Sequence, residues 1–242
     1  MTKTIFSILL ACVGLITRET YSEDSANASA RTAVFAGGCF WCMQPAFDQT
    51  AGVIKTVVGY TGGEEQNPTY SQVSGHKTGH REAIEVAYDP AKVSYDDLLD
   101  VFWRQINPTQ ANGQFADIGL SYQAAVFFAN EEEKKLAEAS KQKLAASGKF
   151  QKPLVTEILP AKKFYAAEEY HQKYYLKSPA EYEAYHVGSG RVGFLAKVWD
   201  RQRSSGCQRP AAGSVITPSL TSTEMPPTRT AESAPWDTSA SS

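Results

Sequence analysis

The chain has 242 residues and a formal net charge of −2; 42% of its residues are hydrophobic and 21% are charged. This composition is typical of a soluble globular protein with enough mass for one good core. The balanced charge excludes the strongly basic class of nucleic-acid-binding proteins, so no nucleic-acid partner is expected.

Residues 1–30 have the pattern of an export signal. Lys3 precedes an apolar run, residues 5–16, that is too short to span a membrane but has the length of a signal-peptide core. Ala28-Ser29-Ala30 has the small-x-small form that a signal peptidase cleaves. The competing pattern is Leu9-Leu10-Ala11-Cys12, which resembles a lipoprotein box. We therefore expect an exported protein, periplasmic or secreted, or one anchored to a membrane through Cys12.

The central motif is Gly37-Gly38-Cys39-Phe40-Trp41-Cys42. An apolar, β-prone run, residues 32–36, precedes it, and residues 40–48 continue it as a short helix. This places Cys39 at a helix N-terminus, where unpaired N–H groups and the helix dipole favour an anion. We therefore expect a stabilised Cys39 thiolate with a lowered pKa, which would make the sulfur a nucleophile.

Two other interpretations of the cysteine pair stay open on this motif alone. Free cysteines are often simply buried in a core, and C-x-x-C can be half of a zinc site. A structural zinc site needs four ligands, but Cys12 lies in the leader, Cys207 lies in a polar tail, and no H-x3-5-H pair follows. Metal binding is therefore the weaker hypothesis.

Strand and helix patterns alternate through the rest of the domain. Strands are predicted at residues 53–60, 81–88, 122–128 and 154–159, and helices after Ser94, at 131–146 after Asn130, and at 166–177. Residues 107–121 are predicted to form a long loop, and residues 182–190 an irregular aromatic segment. This mixture predicts an α+β fold, a two-layer sandwich in which helices cover a mixed β-sheet and long functional loops join them.

The composition changes near Arg203. Residues 204–242 are dominated by Ser, Thr, Pro and Ala, so they cannot bury enough apolar surface to offset the entropy of ordering. We expect a leader (residues 1–30), one folded domain (residues 31–203) and a disordered tail (residues 204–242) with Cys207 near its root.

One carboxylate lies where it could assist a cysteine nucleophile. Glu82 begins a strand that otherwise reads as buried, and a carboxyl group in a partly apolar site has a raised pKa and can hold a proton at neutral pH. The alternative is that Glu82 pairs with Arg81 or Lys77 on a solvated edge.

Several other polar residues lie in or beside loops. Tyr70 and Tyr122 are hydroxyl donors whose alternative role is aromatic packing. Asp117 would by default be a turn residue. The histidines His80 and His171 are expected to be structural rather than catalytic.

Six motifs follow one another along the chain: Gly37 to Cys42, Gly59-Tyr60-Thr61-Gly62-Gly63, Pro68-Thr69-Tyr70, Gly79-His80-Arg81-Glu82, Tyr88-Asp89-Pro90, and Tyr170-His171-Gln172 with Tyr175-Leu176. In these motifs and in their order, the sequence resembles peptide methionine sulfoxide reductase type A from about residue 33 to 194. The resemblance implies reduction of methionine-S-sulfoxide, free or in proteins, in the repair of oxidative damage, with no metal or bound organic cofactor.

The resemblance also implies a role for each matching position at the cysteine end of the site. Cys39 matches the nucleophile that attacks the sulfoxide sulfur. Phe40 and Trp41 match the aromatic residues that line the pocket for the substrate methyl group. Glu82 matches the acid that protonates the sulfoxide oxygen, which is a poor leaving group until it is protonated.

The remaining matches concern the sulfoxide oxygen. Tyr70 and Tyr122 match the tyrosines that hydrogen-bond this oxygen, and Asp117 matches a nearby loop aspartate. Cys39 would be left as a sulfenic acid. A second thiol would condense with it to a disulfide, which a dithiol reductant of the thioredoxin type would reopen.

Two thiols are available as the resolving cysteine. Many family members place it in a C-terminal tail, and Cys207 lies on a segment flexible enough to reach Cys39. Cys42 is closer in sequence, but on a helix its side chain would need local unwinding to reach Cys39. We favour Cys207 on this argument, with a relay through both cysteines left open. The protein is expected to be a monomer.

Two functions from other classes are compatible with parts of the pattern. A thioredoxin-like disulfide oxidoreductase would also use C-x-x-C after a strand, but it has no need of the acid and hydroxyl donors at Glu82 and Tyr70. A cell-envelope binding domain with inert, buried cysteines would need neither the acid nor the hydroxyl donors.

Overall fold

The computed structural model describes residues 30–199. Its strands are β1 (Arg31–Ala36), β2 (Val53–Thr61), β3 (Arg81–Tyr88), β4 (Gly113–Gln114), β5 (Asp117–Ile118), β6 (Ala125–Phe128), β7 (Glu157–Pro160) and β8 (Tyr165–Ala166). Its α-helices are α1 (Phe40–Asp48), α2 (Tyr70–Ser74), α3 (Tyr95–Trp103), α4 (Glu131–Ala146), α5 (Tyr174–Lys177), α6 (Pro179–Gly188) and α7 (Arg191–Trp199). Short 3-10 helices occupy Leu120–Tyr122 and Glu169–His171.

Six strands form one mixed sheet in the order β7-β6-β1-β3-β2-β8. β1 pairs antiparallel with both β3 and β6, β2 pairs antiparallel with β3, and β6 pairs parallel with β7. A separate two-stranded sheet joins β4 to β5. The predicted α+β fold, a mixed sheet covered by helices, is confirmed. None of the helices within residues 30–199 is both long and apolar enough to cross a membrane.

The core lies between this sheet and helices α1 and α3. Phe35, on the central strand β1, is fully buried. Its ring stacks on Phe47 of α1 at 5.3 Å, on Phe102 of α3 at 5.2 Å, and on Tyr95 at 6.2 Å between ring centroids. This aromatic cluster fixes α1 against the sheet, and α1 begins at the cysteine motif.

The predicted helix caps are confirmed. Ser94 accepts the backbone N–H of Asp97, whose carboxylate accepts the N–H of Ser94 in return, which is a capping box. Asn130 accepts the N–H of Glu133 at the start of α4. Gly148 has φ +71 just beyond the end of that helix, a left-handed conformation that glycine adopts without penalty.

Four segments differ from the predicted elements. The strand expected at 122–128 begins only at Ala125, since a 3-10 turn ends at Tyr122, and the loop 107–121 contains the β4–β5 hairpin. The strand expected at 154–159 is Glu157–Pro160. The helix expected after Ser94, in which apolar residues recur at helical spacing as far as Ile106, ends at Trp103.

The C-terminal segment differs most. Only the last turn of the predicted helix 166–177 is an α-helix, because Ala167 and Gln172 bond to the backbone of Val58 and extend the sheet edge instead. Pro179 is the first residue of α6, where its fixed φ favours helix. Residues 182–190, predicted as irregular, are therefore mostly helical.

Phe35→Ala should lower the free energy of unfolding by about 3–5 kcal/mol, because it removes a ring that three others stack on and leaves a cavity. Ile54→Ala is the matched control: Ile54 lies on β2 with 51% of its surface exposed, so a loss of about 1 kcal/mol or less is expected. Urea unfolding at equal protein concentration measures both. Equal losses in the two variants would contradict this assignment of the core.

Candidate active site

Cys39 lies at the junction of the central strand and α1. β1 ends at Ala36, Gly37 and Gly38 turn the chain, and Cys39 is the N-cap of the helix. Gly38 has φ +81, and a Cβ there would lie 2.5 Å from the Cβ of Gln114. Only glycine fits this turn, so the turn fixes where the Cys39 side chain begins. Cys39 is 7% exposed.

Glu82 lies beneath the same helix end. It is 2% exposed, and its carboxylate accepts the backbone N–H of Phe40, the first residue of α1, at 3.0 Å. The predicted burial at the start of a strand is confirmed. The alternative pairing with Arg81 is wrong, because Arg81 donates instead to Glu157.

Burial raises the pKa of Glu82 well above its ordinary value. The neighbouring Cys39 and Asp117 add to this shift when they are charged, and only the Phe40 N–H opposes it. Glu82 is therefore a proton donor in the substrate-free site.

The expected Cys39 thiolate is not the resting state. Burial raises the pKa of Cys39 well above its ordinary value, and the neighbouring Cys42 adds to that shift. The pKa of Cys42 is lowered, first by a hydrogen bond from Cys39 and then by the charge of Arg191. Cys39 lies at the N-terminus of a helix, as predicted, but the first N–H group of that helix, that of Phe40, donates to the Glu82 carboxyl. Desolvation outweighs the helix dipole at this sulfur.

Tyr70 is the first residue of α2, Tyr122 ends a 3-10 helix, and both are neighbours of Glu82. Burial raises the pKa of each phenol, and the negative charge of Glu82 raises it further, so both hydroxyls keep their protons. The backbone N–H of Tyr70 donates to Glu168 at 3.0 Å, which anchors the start of α2. Tyr122 packs edge-on against His76 at 6.0 Å between ring centroids. The predicted pair of hydroxyl donors therefore lies on the Glu82 side of the site.

Asp117 is on β5, half-buried, and accepts a hydrogen bond from the hydroxyl of Tyr185 on α6. Burial raises the pKa of Asp117, while that hydrogen bond and the charge of Arg191 act in the opposite direction. Asp117 is thus part of the site rather than only a turn residue.

An aromatic wall lines one side of the site. Trp41 stacks on Tyr174 at 3.9 Å between ring centroids, and its indole N–H donates to Nδ1 of His171 at 3.0 Å. Phe40 packs on His171 at 5.0 Å. Burial lowers the pKa of His171 to about 4, so this histidine is neutral at pH 7, and its structural role stays a prediction. Phe40 and Trp41 are held in fixed positions.

Sequence reasoning missed Tyr185 and Arg191. Arg191, at the start of α7, is 1% exposed and donates to the carbonyl of Gly37 at 2.9 Å and to that of Gln105. Its guanidinium also lies 4.5 Å from the ring centroid of Phe115. It therefore supports the glycine turn from below and brings a positive charge close to Cys42 and Asp117.

The model of the family described as peptide methionine sulfoxide reductase matches residues 31–203. The peptide methionine sulfoxide reductase MsrA of Bacillus subtilis (strain 168) is 56% identical over 167 residues, which cover 69% of this chain and 94% of the relative. The chain belongs to this family. It is an oxidoreductase that reduces methionine sulfoxide, as its motifs predicted.

Two solved reductases share the fold. The methionine sulfoxide reductase A of Corynebacterium diphtheriae is 35% identical with a TM-score of 0.56, over 62% of this chain and 76% of that one. The reduced form of Mxr1 from Saccharomyces cerevisiae is 31% identical with a TM-score of 0.60, over 63% and 88%. Membership of the reductase family favours the reductase over the disulfide oxidoreductase and the binding domain.

Two of the predicted cysteines fall outside the part of the chain that the structure describes. Cys12 and Cys207 lie outside residues 30–199. Within those residues, no three His, Cys, Asp or Glu side chains are grouped so that they could hold a metal ion.

Gly38→Ala should reduce the rate of methionine sulfoxide reduction by about 10²-fold, because relief of the clash with Gln114 must shift Cys39 by about 1 Å. Gly148→Ala is the matched control: it has a similar φ, +71, but open space around the added Cβ. It should share the backbone strain of about 1–2 kcal/mol and keep full activity. Steady-state turnover and thermal unfolding separate the two effects. Equal activities would show that the glycine turn does not position Cys39.

Proposed function

We propose that Cys39 is the nucleophile and Glu82 the acid in the reduction of methionine-S-sulfoxide by this chain. The observation that carries this proposal is the buried Glu82 carboxyl held at the first N–H of α1, beside the Cys39 sulfur. A thiol and a neutral acid on one side of a buried site are the two groups that sulfoxide reduction needs.

Phe40 and Trp41 receive the substrate methyl group. Both are rings fixed by neighbouring aromatics and by the Trp41–His171 hydrogen bond. Tyr70 and Tyr122 donate hydrogen bonds to the sulfoxide oxygen, since their raised pKa values keep the phenols protonated. The substrate methyl group, the sulfoxide oxygen and the attacking Cys39 sulfur thus lie on different sides of the site. Three distinct contacts at one sulfur centre select a single epimer.

The reaction balances as follows. The Cys39 sulfur attacks the sulfoxide sulfur while Glu82 gives its proton to the sulfoxide oxygen. The S–O bond of the sulfoxide and the new S–S bond then break while the oxygen bonds to the Cys39 sulfur, so methionine leaves and Cys39 becomes a sulfenic acid. A second thiol then attacks the sulfenic sulfur, a disulfide forms, and the oxygen leaves as water.

Cys42 is the better resolving thiol by the geometry of the described residues. Cys39 is the N-cap residue of α1, and Cys42, three residues on, lies in the first turn of the same helix. The two side chains share a hydrogen bond, which lowers the pKa of Cys42. The position of both thiols within one helical turn is the reason for preferring Cys42 to Cys207. Cys207 remains the alternative resolver.

We also propose that a dithiol protein of the thioredoxin type reopens this disulfide, that the enzyme acts as a monomer, and that it is exported. Reduction by exchange with a dithiol suits a disulfide formed between near neighbours. Export is supported by the signal-like pattern of residues 1–30, and anchoring through Cys12 is the alternative processing.

Reduced wild-type protein mixed with a peptide containing methionine-S-sulfoxide, with no reductant, should release one methionine per chain; the R epimer should release none. Residues 32–55 form one tryptic peptide that carries both Cys39 and Cys42. After the reaction this peptide should have lost the mass of two hydrogens. Cys39→Ser should release no methionine, and Cys42→Ser should release one and leave a sulfenic acid on Cys39.

Two results would contradict these assignments. Full methionine release by Cys39→Ser would exclude this cysteine as the nucleophile. A cross-link between the peptide 32–55 and the tryptic peptide that contains Cys207 would make Cys207 the resolver. Cys207→Ser is the control and should turn over at the wild-type rate with a thioredoxin-type reductant.

A further inference from the structure

One hydroxyl group connects the two halves of the site. The Tyr185 hydroxyl donates its proton to Oδ2 of Asp117. A hydrogen bond from the same hydroxyl also lowers the pKa of the Cys39 thiol. A phenol has a single proton, so it cannot donate to both partners at once. In the resting site Tyr185 donates to Asp117, and a hydrogen bond from Tyr185 to the sulfur favours the charged form of Cys39.

The reaction needs a base that Glu82 cannot supply. Glu82 must enter the reaction protonated, because its proton goes to the sulfoxide oxygen. The buried Cys39 thiol must lose its own proton before the sulfur attacks. A single carboxyl cannot give one proton and take another in the same step, so a second group has to receive the thiol proton.

The two carboxyl groups of the site differ in their surroundings. Glu82 has only the Phe40 N–H to stabilise its charged form. Asp117 has the Tyr185 hydroxyl and the positive charge of the buried Arg191, which both counter the effect of burial on its pKa. When the surroundings of two carboxyl groups move their pKa values apart in this way, one can act as an acid and the other as a base. Asp117 therefore ionises more readily than Glu82. The ionised carboxylate is the one that can accept a proton, so Asp117 is the base.

Tyr185 is held in place for this contact. Its ring packs edge-on against Trp41 at 6.1 Å between ring centroids. Cys39, Cys42 and Asp117 are the ionisable neighbours that act on its hydroxyl. Arg191, which acts on Asp117, donates to the Gly37 carbonyl, two residues before Cys39. The chain of contacts therefore runs from Arg191 through Asp117 and Tyr185 to Cys39.

We propose that Tyr185 is a further catalytic residue, whose hydroxyl passes the Cys39 thiol proton to Asp117 as the sulfur attacks. The proton leaves Sγ of Cys39 for the phenol oxygen, and the phenol proton moves to Oδ2 of Asp117. Tyr185 ends neutral, now donating to the sulfur, and Asp117 ends protonated. Glu82 loses its proton to the sulfoxide oxygen and regains one when Asp117 releases its proton to solvent. This inference rests on the proposed role of Cys39 as the nucleophile.

The test uses Tyr185→Phe in the full chain, which removes the hydroxyl and keeps the ring. Single-turnover release of methionine should slow by about 10²-fold, the usual contribution of a proton-transfer group. The pH profile of Cys39 alkylation by iodoacetamide, read on the peptide 32–55, should move to higher pH. Tyr175→Phe is the matched control, because Tyr175 also donates to a carboxylate, that of Asp48, at 2.7 Å. It should change neither quantity.

Asp117→Asn separates a proton relay from a simple hydrogen-bond donor. A relay predicts slower methionine release, since an amide cannot receive the proton. A donor that acts alone predicts an unchanged or faster rate, because the variant also removes a negative charge near Cys39.

A wild-type rate in either Tyr185→Phe or Asp117→Asn would overturn the relay. So would a slow Tyr185→Phe whose alkylation profile is unchanged, since the tyrosine would then act only by packing on Trp41. The alkylation profile needs no sulfoxide, so it also separates this inference from the proposed function. If wild-type protein releases no methionine, the proposed function fails. Should Tyr185→Phe not fold, Asp117→Asn carries the test.

Discussion

The hydrogen bond from the Phe40 N–H to the Glu82 carboxylate is the contact on which the site depends. It joins the first turn of α1 to the start of β3, and so ties the cysteine motif to the buried end of the sheet. The stacked rings around Phe35 hold α1 in the position that allows it. Burial beside Cys39 raises the pKa of this carboxyl, and the proposed role of Glu82 as the acid follows from that shift.

The charge state of Cys39 follows from a competition between two effects. A helix N-terminus typically favours a nearby anion by about 0.3–1 kcal/mol. Full burial can shift a pKa by roughly 3–5 units, which corresponds to ~4–7 kcal/mol. Burial therefore prevails at Cys39, and the resting thiol is protonated. The sulfur becomes nucleophilic only when its proton can leave, which couples its reactivity to the neighbouring carboxyls.

Local signals in the sequence were enough for much of the fold. The caps Ser94 and Asn130, the glycine turn before Cys39 and the strand that begins near Glu82 each depend on neighbouring residues, and each was predicted correctly. The position of Tyr122 was not, because a 3-10 turn after Gly119, with φ +128, displaces the start of β6. The sign of the Cys39 pKa shift was wrong because burial is a property of the folded chain.

Tyr185 and Arg191 could not have been found in this way. Both follow a segment that is attached to the sheet edge by Gln172 and Val58, residues 114 positions apart in sequence. No periodic pattern reports such a contact. Pro179 was the available signal for this helix, because a proline can end one helix and also occupy the first turn of the next. A helix from Pro179 onward would have suggested that Tyr182 and Tyr185 share a face.

The protonation state of Glu82 in the reduced, substrate-free enzyme tests the central claim most directly. Infrared difference spectra between the wild type and Glu82→Gln at neutral pH isolate the carboxyl signal of this residue. A buried, protonated Glu82 predicts the carbonyl stretch of a neutral carboxylic acid in the wild type, because its pKa is raised well above the ordinary value. If the wild type instead shows only the two bands of an ionised carboxylate, Glu82 is not the stored acid, and the proposed division of labour between Glu82 and Asp117 is wrong.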